Sequence, residues 1–266
     1  MRKSLKIAGA ASACVLTGAV LYGSGAASAD GGANPTHSTE PYNIGKLVGE
    51  IDDYYGAEQD DDGTWTSSPD SDYAKDLARV QHEAKKDIRQ ATQHGKHHRH
   101  GKPALVLDID DTSLLSFDYE RSTNYTFDEE TWNEYVSKAD RPAVFGMPEL
   151  VEYAKKRGVE IFFLTGLSED LRKPAVKNLE KVGFDTKLDK SHVFTKDKAN
   201  PPSYLDHCAT PAKWECSTVE YKAGTREHLE DKGFHIVGNF GDQQSDLDGG
   251  HAKKGYKLPN PTYFVE

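Results

Sequence analysis

Cysteine is scarce in this chain, basic residues are in deficit, and long hydrophobic runs are absent beyond the N-terminal segment. The 266 residues include 3 Cys, so no second cysteine pair is present to complete a zinc site. Lys+Arg number 33 against 43 Asp+Glu, which gives a net charge of −10. This acidity argues against nucleic-acid duplexes and anionic membrane surfaces as partners. After the N-terminal segment, no apolar run is long enough to span a bilayer.

The N-terminal segment has the three parts of a secretory signal peptide. Basic residues come first, a short apolar core occupies 7–22, and a small-x-small site follows at Ala27-Ser28-Ala29. A transmembrane anchor is the alternative, but the core is short for a span. We therefore predict a signal peptide at 1–29, cleavage before Asp30 and a secreted protein without a membrane anchor. Cleavage would deepen the net charge to −13.

Two cysteines, Cys208 and Cys216, lie outside the signal segment. A lone pair in a secreted chain favours a disulfide, which here would close a short loop. Two free thiols are the alternative, and zinc is less favoured because His207 is the single histidine close to the pair. We therefore predict a Cys208–Cys216 disulfide.

An apolar run at 105–107 ends abruptly in three aspartates, Asp108, Asp110 and Asp111. Such a run is typical of a buried parallel strand, whose carboxyl end opens into the crevice where α/β sheets bind ligands. Closely spaced carboxylates repel one another unless a cation neutralises them, and oxygen ligands of this kind suit Mg2+. The alternative is a strand followed by an acidic turn.

Two further apolar runs also end in polar residues. The run 159–165 ends at Thr165, and the run 234–240 is followed by Gly241 and Asp242. Helical periodicity separates the runs, and strands that alternate with helices predict a mostly parallel sheet. The predicted fold is therefore a three-layer, Rossmann-like α/β domain in which the strand ends converge on one site.

The regions outside this sheet are predicted to be helices and a small cap. One helix is expected after an Asn43 cap, and a second at 71–93. The apolar face expected for the first helix consists of Ile44, Leu47, Val48, Ile51 and Tyr55. An aromatic-rich insertion at about 113–146 is expected to form the cap, with Thr126 and Glu129 as the capping box of a helix.

These assignments divide the chain into three parts. The signal peptide at 1–29 is followed by a polar segment and core-packing helices at 30–102, and the main domain occupies 103–266. The histidine-rich stretch 94–100 is interpreted as a solvated linker, with transition-metal binding as the alternative.

Four motifs occur in order along the chain: Asp108-Ile-Asp110-Asp-Thr112, Thr165-Gly166, Lys222 and Gly241-Asp242-Gln-Gln-Ser-Asp246. They resemble the four ordered motifs of the haloacid-dehalogenase-like superfamily, in the branch of acid phosphatases that joins secreted bacterial enzymes to plant vegetative storage proteins. Further similarity to that branch lies in Tyr221-Lys222 followed by Arg226, in Gly238-Asn239 and in Lys257-Leu-Pro-Asn-Pro.

This resemblance implies a phosphomonoester hydrolase with a small-molecule substrate. Asp108 would be the nucleophile that forms an aspartyl-phosphate, and Asp110 would serve as general acid and base. Phosphoryl oxygens would be bound by Thr165, the Gly166 backbone N–H and Lys222.

The resemblance also implies a Mg2+ site. Its ligands would be Asp108, Asp242 and the backbone carbonyl of Asp110, with Asp246 as a further or outer-sphere ligand. Each of three residues also has a structural alternative. Asp246 could cap a helix, Lys222 could be a solvated helix residue, and Thr165 could simply end a strand.

One residue departs from the family pattern. Many relatives carry an arginine directly after the Thr-Gly pair, whereas this chain has Leu167. Arg172 could compensate for that loss. If Lys222 were a solvated residue, Arg226 or Lys213 could take its place.

Three other functions remain open on the same fold. One is a protein that binds phosphate or a metabolite, or serves as a storage protein. Asp108 argues against it, because loss of the nucleophile would be the simplest route to such a role. A dehalogenase is disfavoured by Asp110, because carbon–halogen hydrolysis has no alkoxide to protonate. Phosphotransfer to an acceptor alcohol is compatible with every motif.

Overall fold

The structure is a computed structural model that describes residues 41–93 and 101–265. The predicted signal peptide and the histidine-rich stretch 94–100 lie outside the described residues. Within the described residues, no helix combines the length and apolar character needed to cross a bilayer.

The strands and helices follow the predicted alternation over the main domain. The strands are β1 (Glu58–Gln59), β2 (Trp65–Thr66), β3 (Lys102–Leu107), β4 (Glu160–Ser168), β5 (Val193–Lys196), β6 (Ala209–Thr210), β7 (Lys213–Trp214), β8 (Phe234–Gly241) and β9 (Gly255–Lys257). The helices are α1 (Ile44–Tyr55), α2 (Asp72–Thr92), α3 (Phe117–Ser122), α4 (Glu129–Ser137), α5 (Met147–Lys155), α6 (Arg172–Lys181), α7 (Thr218–Asp231) and α8 (Gln244–Leu247).

A five-stranded parallel sheet in the order β5-β4-β3-β8-β9 forms the centre of the protein. Strand β3 lies in the middle, where Leu107 is paired with Phe163 of β4 and Phe240 of β8. The three motif-bearing strands are therefore adjacent, and their carboxyl ends lie at one edge. The predicted α/β fold is confirmed.

Both faces of the sheet are buried under helices. On β3, Leu105 and Leu107 belong to one apolar cluster, whereas Ala104 and Val106 belong to another. This alternation is expected because successive strand side chains point to opposite faces. The first cluster includes side chains from α2, α5 and α6, and the second includes Tyr221 and Leu229 of α7.

Helix α1 differs in part from its predicted packing. The Asn43 side chain accepts a hydrogen bond from Lys46 N, as expected for an N-cap, and Ile51 and Tyr55 are buried. Ile44 and Leu47 are exposed, so only part of the predicted apolar face is buried. The physical reason is that only the second half of α1 reaches the core, where Tyr55 stacks on Phe117 at 4.2 Å.

Within the insertion, the predicted capping box is also wrong. Helix α4 begins two residues later than expected, and Asp128 rather than Thr126 accepts a hydrogen bond from Thr131 N at 2.9 Å. The Asp128 carboxylate is the stronger acceptor for an unpaired helix N–H. Aromatic side chains pack against one another here, with the Tyr119 and Trp132 rings 5.0 Å apart.

A disulfide joins Cys208 to Cys216 just before helix α7. The enclosed loop contains the β6–β7 hairpin, and Trp214 Nε1 donates to the Cys216 carbonyl at 3.1 Å. Ser217 and Glu220 then form a reciprocal capping box that starts α7. The disulfide loop thus leads directly into the helix that carries Lys222.

Candidate active site

Asp108 follows β3 and is buried at the carboxyl edge of the sheet, with 6% of its surface exposed. Its Oδ1 accepts a hydrogen bond from Lys222 Nζ at 2.6 Å. The same ammonium donates to Asp246 Oδ1 at 2.5 Å. Lys222 is itself 3% exposed, so the interpretation of this residue as a solvated helix position is wrong.

Three carboxylates converge beside Lys222. Within the described part of the chain, Asp108, Asp242 and Asp246 each offer a carboxylate oxygen within 4.8 Å of the others. Asp246 reaches this position because Gly241 has no side chain, since a Cβ there would lie 2.3 Å from Asp246 Cβ. Asp246 also caps α8 by accepting from Gln243 N, so the capping and ligand roles are compatible.

The charges in this cluster do not balance. Three buried carboxylates face one ammonium, which leaves two negative charges without a partner among these four residues. Burial, and then the neighbouring Asp246, raise the pKa of Asp242. Burial also raises the pKa of Asp108, against the opposing effect of Lys222. Residues of this charge and ligand type fit a hard divalent cation.

The surroundings of Lys222 keep its ammonium group charged. Burial opposes its charge, but the carboxylates of Asp108 and Asp246 outweigh that penalty and raise the pKa of Lys222. The ammonium therefore stays charged at any physiological pH and neutralises part of the anionic cluster.

The Asp110 side chain lies apart from this cluster. Its Oδ1 accepts from Arg141 Nη1 at 2.6 Å, and its Oδ2 accepts from Thr165 Oγ1 at 3.0 Å. Both oxygens are therefore held in a defined orientation beside the acidic cluster. The expectation that Asp110 contributes a metal ligand concerned its backbone carbonyl and stays a prediction.

Thr165 is fully buried at the end of the predicted apolar run, and β4 continues past it to Ser168. Its hydroxyl accepts from Leu167 N at 3.1 Å while it donates to Asp110. Gly166 is exposed, whereas the Leu167 side chain is 5% exposed and belongs to the apolar core. The position after the Thr-Gly pair thus points inward in this protein.

The cations proposed as substitutes are engaged elsewhere. Arg172 bonds Glu169, Thr195 and the Val193 carbonyl. Arg226 donates to the backbone carbonyls of Asp246, Asp248 and Gly250, and thereby holds the turn around α8. Exposed Lys213 pairs with Glu215. These contacts make Arg172 and Arg226 structural, whereas the Lys213–Glu215 pair lies in solvent.

Other motif residues support the loops of the site. Thr112 Oγ1 donates to Asp242 Oδ1 at 3.1 Å, and Asn260 Nδ2 donates to Asp242 Oδ2 at 2.7 Å. Asp111 is 3% exposed and adopts a positive φ of 52°. Its Oδ1 accepts from Ser116 N at 2.8 Å, which anchors the start of the insertion.

Sequence reasoning missed two cations near this edge. Arg141 lies in the insertion and carries no local signal of its proximity to Asp110. Lys196 is the last residue of β5, and its place at a strand end is the signal that could have identified it.

The family model described as HAD superfamily, subfamily IIIB (Acid phosphatase), matches residues 65–266. The chain therefore belongs to this family, which confirms the predicted resemblance and extends it upstream of residue 103.

Several plant proteins are similar to the chain. It is 34% identical over 175 residues to the Stem 28 kDa glycoprotein of Glycine max, covering 63% of this chain and 62% of that protein. It is 32% identical over 169 residues to Acid phosphatase 1 of Solanum lycopersicum, covering 62% and 60%. It is 30% identical over 167 residues to Vegetative storage protein 1 of Arabidopsis thaliana, covering 60% and 54%. The chain thus spans less than two thirds of the length of each.

A solved structure supports the fold. The class C acid phosphatase from Bacillus anthracis with tungstate bound superposes with a TM-score of 0.53 at 22% identity. The superposition covers 72% of this chain and 78% of that one. At this identity the similarity establishes the architecture of the sheet and its helices.

Proposed function

We propose that the protein is a secreted, Mg2+-dependent acid phosphatase that hydrolyses small phosphomonoesters through an aspartyl-phosphate on Asp108. The observation that carries the proposal is the position of Asp108, buried at the carboxyl end of β3 between Lys222 and a group of carboxylates. Membership of the acid phosphatase subfamily supports the same class of reaction.

The metal part of the proposal rests on the uncompensated charge of the cluster. Asp108, Asp242, Asp246 and the Asp110 carbonyl would hold Mg2+, which when bound lets an anionic carboxylate approach an anionic phosphate. Asn260 and Thr112 orient Asp242, because each donates to one of its two oxygens. Such oriented carboxylates are typical of the support that metal ligands receive.

The chemistry then follows from two carboxylates with different partners. An Asp108 oxygen attacks phosphorus, the ester P–O bond breaks, and Asp110 gives its proton to the departing alkoxide oxygen. In the second step Asp110 takes a proton from water, the water oxygen attacks phosphorus, and the Asp108–phosphate bond breaks to release phosphate. Arg141 and Thr165 hold Asp110 in place for both proton transfers.

Phosphoryl oxygens would be bound next to Gly166. Its backbone N–H lies at an exposed point of the β4 end, and Lys222 neutralises charge on the Asp108 side. Thr165 acts chiefly through its hydrogen bond to Asp110, since its hydroxyl is occupied at both its donor and its acceptor side.

Secretion is supported by three independent features. The first 29 residues have a signal-peptide pattern, a disulfide joins Cys208 and Cys216, and a similar plant protein is described as a stem glycoprotein. Disulfides persist mainly in oxidising compartments, which is why the bond bears on location.

A storage role on the same fold is a second candidate, because two similar Arabidopsis thaliana proteins are described as vegetative storage proteins. The presence of Asp108 and its ion pair with Lys222 favours catalysis over storage. A storage protein would have no use for a buried, costly group of carboxylates.

Rapid-quench trapping of phosphoenzyme, alongside steady-state rates for alkyl and nitrophenyl phosphates, tests the enzyme proposal. Asp108→Asn should abolish both phosphoenzyme and turnover. Asp110→Asn should reduce alkyl phosphate hydrolysis most, because a nitrophenolate leaves without protonation, and phosphoenzyme should accumulate. Turnover by Asp108→Asn would refute the covalent mechanism, and equal slowing of both esters without phosphoenzyme would refute the role of Asp110.

A further inference from the structure

Lys196 lies across an open space from Gly166. It is the last residue of β5 and is paired in register with Ser168 of β4. A Cβ built on Gly166 would meet Lys196 Nζ at 3.9 Å and no other atom within 4 Å. The space that a side chain at Gly166 would occupy is thus open and bounded by an ammonium group.

The charge of Lys196 has no direct counterion within residues 41–93 and 101–265. Unlike Lys222, it forms no ion pair there, although it interacts at longer range with Asp108 and Asp246. Burial, and then repulsion from Lys222 and Lys198, lower the pKa of Lys196. Because no carboxylate of the described residues is bonded directly to Lys196, its ammonium group is available to an anionic ligand that enters the site.

The ammonium group of Lys196 also contacts an aromatic ring. Lys196 Nζ lies 5.8 Å from the centre of the ring of Tyr221, the residue directly before Lys222 in the sequence. This ring is buried, so the cation–π contact holds the ammonium next to the residue that precedes Lys222. Lys198, by contrast, is exposed.

We propose that Lys196 binds a non-bridging oxygen of the substrate phosphoryl group above Gly166, and supplies the positive charge that Leu167 cannot. This proposal rests on the function proposed above. Leu167 is turned into the core and Arg172 is bonded to Glu169, so neither offers a cation to the site. Lys196 beside Gly166 and Lys222 beside Asp108 would then both bind the phosphoryl group.

The experiment compares Lys196→Met, Lys196→Arg and the matched control Lys198→Met. Methionine preserves the length and apolar stem of lysine. Because Lys196 forms no ion pair with the described residues, its replacement leaves no carboxylate without a partner. Removing one charge-assisted hydrogen bond should lower kcat/KM for a phosphomonoester and raise Ki for inorganic phosphate, each by about 10- to 100-fold. Lys196→Arg should recover most of both losses, and Lys198→Met should match the wild type.

Calorimetric titration with inorganic phosphate separates this proposal from the proposed function. If the wild type binds phosphate without hydrolysing esters, and Lys196→Met binds it more weakly, the phosphate role of Lys196 stands and the enzyme proposal fails. If Lys196→Met matches the wild type in phosphate affinity, Lys196 is not a phosphate ligand, whatever the activity. A protein that neither binds phosphate nor hydrolyses esters overturns both proposals.

Discussion

Arg141 Nη1 lies 2.6 Å from Asp110 Oδ1, and the arginine side chain is 1% exposed. The insertion thereby contributes a buried cation to the site. Its backbone is fixed by two hydrogen bonds with the Asn178 side chain of α6, at 2.9 Å and 2.8 Å. Arg141 Nε and Nη2 are buried without a hydrogen-bond partner among the described residues, a cost that a purely structural residue would avoid.

Replacement of Arg141 should therefore impair proton transfer more than phosphate binding. Arg141→Met should lower kcat for alkyl phosphates about 10- to 100-fold, with a smaller effect on nitrophenyl phosphates, because Asp110 loses one of its two partners. Arg141→Lys should recover part of this loss, and exposed Lys138→Met in the same insertion should have no effect. An equal loss with both substrates would contradict the positioning role of Arg141.

Mg2+ should stabilise the folded protein through the carboxylate cluster. At a concentration about 100 times the Kd, binding to the folded state alone should add about 2.7 kcal/mol, or roughly 5–10 °C in Tm for a domain of this size. Asp242→Asn should lose this shift, whereas the control Asp248→Asn, at an exposed residue beyond the cluster, should keep it. Thermal melts with Mg2+ and with EDTA measure the shift in Tm for the wild type and for each variant. Equal Tm values for the wild type in the two buffers would contradict a metal site here.

The disulfide should stabilise the protein by constraining the unfolded chain. In the loop-entropy model, a bond between cysteines eight residues apart contributes about 2–3 kcal/mol. The double variant Cys208→Ser/Cys216→Ser should lose about that free energy of unfolding in denaturant titrations. Reductant should destabilise the wild type by a similar amount and leave the variant unchanged. A reductant effect of equal size on both proteins would show that the bond is not the cause.

Glu120 should make stability fall as pH rises. Burial raises the pKa of this carboxyl from 4.5 to about 7, so the folded protein holds the proton more tightly than the unfolded chain. Below pH 4.5 the protonated Glu120 therefore adds no ionisation penalty to the folded state. As pH rises from there through about 7, the free energy of unfolding falls by up to about 3 kcal/mol. Relative to the wild type, Glu120→Gln should gain stability progressively over this interval.

Denaturant midpoints at pH 4.5, 6 and 8 measure the effect. The control Glu134→Gln replaces an exposed glutamate of α4 and should keep the wild-type pH dependence. A constant difference between Glu120→Gln and the wild type at all three pH values would contradict ionisation of Glu120 as the cause.

The sequence alone identified the three motif-bearing strands of the central sheet, most helices and the family motifs. Apolar runs and their polar ends are local patterns, so the positions of Asp108, Thr165 and Asp242 at one sheet edge followed from periodicity and from the rule for parallel strands. The same reasoning misassigned the α4 cap, because Thr126 and Asp128 both have capping side chains and the choice depends on where the chain enters the helix.

Only the tertiary structure decided which charges meet. Lys222 and Asp108 are 114 residues apart, and Arg141 and Asp110 are 31 apart, so no local period encodes either contact. The inward turn of Leu167 and the placement of Lys196 beside Gly166 likewise depend on the pairing of β4 with β5. The neighbours of a residue in the chain specify only the helix or strand to which it belongs. Its contact partners come from the other elements packed around it, so such contacts depend on the packing of the whole sheet.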